Sequence, residues 1–400
     1  MMRLLQSGAF RWVWAGETVS MLGDRVHEIA MAWLVLTLTG SPLTLGAVLA
    51  AGAVPRALLL LVGGATSDRL SARVLMLASN LARGLLVGLL VALVIGGWIR
   101  LWQLYVIEFA FGVADAFFYP AAAAIPAVLV QKTELPRANA LVSTSEQVAM
   151  LVGPAVGGVL VALAGTAGAF LLNSLSFFAA AAGLIPAGSA AGSPERKASS
   201  LWSDLRQGLA YAFADRELRV VLLLISAASL TYNGVFAVGL PALARHRFPE
   251  GSVALGAMLG AWGLGQLLGV LSAGLTGLPR RWGVLIIGIA FAEGAAFIAL
   301  GLLPTFWAAA AMLAVLAFGV AYSSDVALPT WIQRRSSPDL LGRVMSLVEL
   351  PRQSLAPLSF LAMGALASFS LPLAFACAGI AMLVAAGVAA GSRTVRELAS

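Results

Sequence analysis

Val62-Gly-Gly-Ala-Thr-Ser-Asp-Arg-Leu-Ser-Ala-Arg73 separates two long apolar runs, and its charges fall in a short interval. Gly64 lets backbones approach closely. Four residues on stands Asp68, which can face a helix N-terminus, while Arg69 and Arg73 can pair with it or rest among cytoplasmic headgroups. The stretch therefore reads as a structured turn at a membrane surface. Its neighbourhood agrees: 60% of the 400 residues are hydrophobic, 11% are charged, and the mean hydropathy is +0.94. Soluble domains carry roughly 25% charged residues, so this composition predicts an integral membrane protein.

A hydrocarbon core of about 30 Å needs about 20 apolar residues per helix. On that measure spans are expected near 10–38, 43–66, 72–97, 102–130, 138–164 and 167–187, then near 218–244, 253–277, 282–302, 305–332, 340–368 and 371–391. The expected fold is an all-α membrane protein with twelve transmembrane helices in two six-helix bundles. The domains are 1–187, a cytoplasmic linker 188–217 and 218–400. Within the linker, Leu201, Leu205, Leu209 and Phe213 share a helix face, which predicts an amphipathic helix on the inner surface.

Loop charges orient the chain. With the N-terminus inside, 18 of the 25 Lys and Arg residues fall in inner segments, and only Arg100, Arg245 and Arg247 in outer ones. That bias predicts a cell-membrane protein with both termini cytoplasmic. The net charge of +7 is thus a matter of topology, and no nucleic-acid partner is expected. One cysteine, Cys377, and two histidines offer no disulfide and no metal cluster. No phosphate-binding loop and no nucleophile–base–acid pattern is found, so neither a cofactor nor enzymatic activity is expected.

The halves resemble each other. Phe111-Gly-Val-Ala114 recurs as Phe318-Gly-Val-Ala321, Ala82-Arg83-Gly84 aligns with Ala292-Glu293-Gly294, and Gly64 and Thr66 meet Gly274 and Thr276. Two parallel six-helix repeats are a transporter plan.

With these features in place, the chain resembles the major facilitator superfamily over its whole length. The Gly64, Asp68, Arg69, Arg73 turn is similar to that family's loop between helices 2 and 3, although Ser71 replaces a usual glycine and Ala72 a common basic residue. Gly153-Pro154-Ala-Val-Gly157-Gly158 resembles the signature of the family's antiporters, with Ala149 where an earlier glycine is expected. Asp24, Gly40-Ser41-Pro42, Phe118-Tyr119-Pro120 and Arg137-Ala-Asn-Ala-Leu141 look like the drug and siderophore exporters that include macrolide-efflux-type proteins. The resemblance implies a cytoplasmic gate at Asp68, a bend at Pro154 that opposes leakage, and export of a small amphiphilic substrate or drug against protons by alternating access. A lipid or lysolipid flippase, a siderophore exporter and a non-transporting membrane sensor remain as alternatives. Membrane lipids are expected around a monomer.

Intramembrane ionisable residues are costly and mark pathways or partners. Asp24 and Glu28 lie one turn apart, and a carboxylate in a poorly hydrated cavity can take and release protons. Structural pairing, Asp24 with Arg25 or Glu28 with Arg56, is the competing reading. Arg56, after Pro55, is expected to face an acid of the first span, and Arg83 to pair with an acid of a neighbouring helix. Asp115 and Glu146 are further candidates for the cavity. Trp33, Phe118, Tyr119, Tyr232, Phe236, Trp262 and Asp325 are candidates for substrate contact. Trp12, Trp14, Trp98 and Trp102, near span ends, are expected as interfacial anchors.

Overall fold

The computed structural model describes residues 8–67, 70–187, 216–277, 282–328, 348 and 350–391. The expected linker helix at 201–213, and Asp68 and Arg69, lie outside these residues. All regular structure among the described residues is helical. In chain order the helices are α1 (Gly8–Thr39), α2 (Pro42–Ser67), α3 (Ala72–Ile95), α4 (Leu101–Leu129), α5 (Leu135–Gly183), α6 (Arg216–Gly234), α7 (Leu240–Arg247), α8 (Ser252–Thr276), α9 (Trp282–Leu300), α10 (Phe306–Val320), α11 (Ala356–Phe369) and α12 (Leu371–Gly391).

These labels are not one span each. The 49 residues of α5 would extend about 70 Å at 1.5 Å per residue, twice what a bilayer needs. Gly165 divides it, with φ 68° and ψ −179°, a conformation open to glycine alone. The break falls between the expected fifth and sixth spans. Conversely, α6 and α7 form one run through a π turn, Val235–Gly239. A second π turn, Ala321–Ala327, prolongs α10. Nine described helices are long and apolar enough to cross a membrane; α1 carries too many charges to count and α11 has only 14 residues. This is consistent with twelve spans.

Local chemistry sets the boundaries. Gly40 (φ 65°) stops α1, the Ser41 hydroxyl accepts the Thr44 N–H at 3.2 Å, and Pro42 opens α2 where its missing N–H costs nothing. Ser71 caps α3 by accepting from Val74 N at 3.3 Å. Thr305 does the same for α10.

The helices group into two compact units, residues 1–39 with 48–197 and residues 40–47 with 198–400. Since lipid tails are as apolar as leucine, close packing must hold each unit together. In the first unit a Cβ on Gly63 would stand 2.0 Å from the Ala116 carbonyl oxygen, and one on Gly112 2.0 Å from that of Gly52, so α2 and α4 touch backbone to backbone. In the second unit α8 meets α10 in the same way, with Gly265 against Ala314. Residues 40–47 join the second unit through α11: Leu43 N donates to Ser368 Oγ at 3.1 Å, and Gly364 packs on Pro42.

Candidate functional site

The interior of the first unit is polar. Asp115, on α4 and 3% exposed, lies between two arginines: Arg83 Nη1 from α3 is 3.3 Å from Oδ1, and Arg56 Nη1 from α2 is 3.5 Å from Oδ2. Arg83 is 1% exposed and also donates to Asn80 Oδ1 at 2.5 Å. Asn80 Nδ2 in turn donates to Glu17 Oε1 of α1 at 2.9 Å. The Arg83 guanidinium lies over the Phe118 ring at 3.7 Å and near that of Phe177 at 4.5 Å, contacts favourable to a cation. A chain of polar contacts thus joins α1, α3, α4 and α2. One turn along α4 from Gly112, Glu108 Oε1 is 3.6 Å from His27 Nε2, and the His27 ring stacks on Phe111 at 5.3 Å.

Asp24 borders this network. Its Oδ1 is buried with no hydrogen-bond partner, and Arg83, Asp115, Arg25, His27 and Tyr119 are charged or titratable groups around it. Such an orphaned oxygen is rare in folded proteins. It leaves a site for a proton or a ligand donor. Glu28 differs. It is exposed and accepts from Arg25 Nη1 at 2.8 and 2.9 Å, an i, i+3 pair along one helix. The acid one turn after Asp24 is therefore held by its own helix neighbour. Arg56 meets its acid on α4 rather than on the first span. Arg83 does pair with an acid of a neighbouring helix. Glu146 is exposed on α5, with Arg25 its charged neighbour.

Gly153 and Gly157 turn to the same part of α1. A Cβ on Gly153 would stand 2.5 Å from Arg25 Cβ, and one on Gly157 3.1 Å from the Val26 Cα. Pro154 and Gly158 are buried beside them. The motif thus allows α5 to rest on the helix turn that carries Asp24 and Arg25. Arg73 ties the start of α3 to the end of α5, donating to the carbonyls of Leu184 and Ile185 at 2.8 and 2.9 Å. Gly64 has open space where a Cβ would stand, so close approach there is not its role in this structure.

Phe118 is buried beneath Arg83, whereas neighbouring Tyr119 is 48% exposed and Trp33 half-buried. In the second unit Tyr232, Phe236 and Trp262 come together: Tyr232 lies 5.5 Å from each of the others, and Phe236 lies 4.6 Å from Trp262. Asp325 falls in the second π turn, and its side chain lies outside the described residues. Trp14 is not free at the interface, since its Nε1 donates to Ser145 Oγ at 3.0 Å. Trp12, Trp98 and Trp102 are exposed. Glu17, Asn80 and His27 were not among the candidates. Asn80 is one turn before Arg83 on α3, and a polar residue at that spacing was the available signal.

The profile of the transmembrane secretion effector family matches residues 2–399. The chain belongs to this family, a branch of the major facilitator superfamily. This secretion-effector chain is 25% identical over 395 residues to the multidrug efflux pump Tap of Mycolicibacterium fortuitum, covering 94% of this chain and 93% of Tap. It is 22% identical over 342 residues to macrolide efflux protein A of Streptococcus pyogenes, covering 84% of each. Its fold is similar to that of the POT family transporter PepTSo, with a TM-score of 0.74 at 13% identity over 96% of this chain and 97% of that one. This member is accordingly a multi-pass membrane transporter and not an enzyme.

Proposed function

We propose that this transporter exports an amphiphilic small molecule across the cell membrane in exchange for protons, working by alternating access as a monomer with both termini cytoplasmic. The observation that carries the reading is the Asp24–Asp115 region of the first unit. One acid has an unpartnered oxygen, and the other is shared by two arginines from different helices. Binding a proton at Asp115 would release Arg83 and Arg56 from their common counter-charge. That couples proton occupancy to the packing of α2, α3 and α4. Asp24 and Asp115 are like charges in one neighbourhood, so a proton on either favours charge on the other. Glu28 and Glu146 would tune the approach to this site. The turn of Gly64, Asp68, Arg69 and Arg73 would act as the cytoplasmic latch, a role supported by the hold of Arg73 on the end of α5. In the first unit exposed Tyr119 and half-buried Trp33 would meet apolar parts of a substrate; in the second unit Tyr232, Phe236 and Trp262 would do so, and Asp325 would meet a polar part. Lipids surround the apolar exterior, where large side chains such as Leu58, Leu163 and Leu275 are exposed.

A thermal-shift screen of drug-like amphiphiles on purified protein, followed by efflux from proteoliposomes with and without an imposed pH gradient, tests the reading. Transport that rises with the gradient is expected. Transport unaffected by the gradient would contradict proton exchange.

A further inference from the structure

Arg83 and Glu293 occupy matching places in the two halves, Ala-Arg-Gly on α3 and Ala-Glu-Gly on α9. Both are buried, at 1% and 4% exposure. Their surroundings are opposite. Arg83 has Asp115, which directly follows Phe111-Gly-Val-Ala114 on α4. The residue directly after Phe318-Gly-Val-Ala321 is Tyr322, and its hydroxyl is turned to the Gly277 carbonyl and to Thr276. The place that supplies Arg83 with its counter-charge supplies none to Glu293.

Nor do the other helices among the described residues. α9 packs on α12, on α10 and on the π turn that prolongs α10. Over its 21 residues α12 has no charge, and Cys377 is its one titratable group. α10 has neither charged nor titratable residues. The π turn brings Tyr322 and Asp325, the latter with an undescribed side chain. From α6, the Tyr232 side chain lies beside Glu293. No salt bridge involves Glu293 among the described residues. Glu293 is the twelfth of 19 residues of α9, far from either end of the span. Tyr232, Phe297, Trp262 and Phe236 pack ring to ring at 4.6–5.5 Å, which leaves no gap for an organic cation among them. A bare carboxylate in such a place is far more costly than the neutral acid. Neutralisation by a proton removes that cost without any counter-charge.

We propose that Glu293 is a proton-binding site of the second unit, separate from the Asp24–Asp115 region and bordered by the Tyr232 side chain. Tyr232 precedes the π turn Val235–Gly239 by three residues, and Ser359 braces that turn by accepting from Gly234 N at 2.6 Å. Occupancy of Glu293 thus bears on a helix segment of the irregular kind that recurs at functional sites. The inference builds on the proton-exchange reading, but its test needs no transport.

Infrared difference spectra of the purified protein between high and low pH read carboxyl protonation directly. A protonated-carboxyl C=O band that appears on acidification should vanish in Glu293→Gln and change frequency in Tyr232→Phe. Glu293→Asp, which keeps a titrating group, should move the band to the aspartic position and serves if the glutamine variant does not fold. A difference band identical in all variants would overturn the proposal, and so would a Glu293 band already complete at high pH. Loss of proton-driven transport with the band intact would count against the coupling reading alone.

Discussion

The two units solve the problem of a buried charge in different ways. At matching places in the repeat, the first holds an arginine and the second a glutamate. Arg83 is enclosed by an acid, an amide oxygen and two aromatic faces. Glu293 has a tyrosine side chain and apolar helices. A paired charge is costly to break by substitution, because removing either partner strands the other. A lone acid can exist in neutral form and depends less on its neighbours. The first unit should therefore be sensitive to substitution at Asp115, and the second tolerant at Glu293.

Stability measurements on purified protein can break this contrast. Asp115→Ala leaves Arg83 and Arg56 without their carboxylate, and should cost about 3–5 kcal/mol, seen as a large fall in melting temperature. Gly153→Ala drives a methyl into Arg25 Cβ, and overpacking of that kind costs about 1–3 kcal/mol. Glu293→Gln keeps the shape and hydrogen-bonding capacity of a neutral acid, so its melting temperature should change by the equivalent of less than about 1 kcal/mol. A loss at Glu293 as large as that at Asp115 would erase the distinction between the units. The smallest effect is expected at Glu28→Gln, about 0.2–0.5 kcal/mol, since the Arg25–Glu28 pair is exposed and local to one helix.

Much of the fold could be read from residues because bilayer thickness imposes a length on every span. Gly165 sits where the fifth and sixth spans were expected to part, and Gly40-Ser41-Pro42 forms the stop, cap and start that its residue types favour. Partners were harder to read. Spacing on one helix identifies a shared face but not the helix opposite it, so Arg56 was expected to meet the first span and instead meets Asp115 on α4. Asp24 and Glu28 lie one turn apart, yet the Arg25 side chain reaches forward and takes Glu28. Phe118-Tyr119 shows the same limit: the two rings meet edge-on at 5.8 Å, yet Phe118 is buried beneath Arg83 and Tyr119 is exposed. Charge drew attention to Arg83, while the uncharged Asn80, which links it to Glu17, did not stand out on an apolar helix.

The most direct test of the coupling reading is substrate efflux from proteoliposomes at an imposed pH gradient, compared between Asp24→Asn and Glu28→Gln. The account predicts that the gradient ceases to accelerate efflux in Asp24→Asn, while Glu28→Gln responds nearly as the unaltered chain does. Full gradient-driven efflux in Asp24→Asn would contradict it.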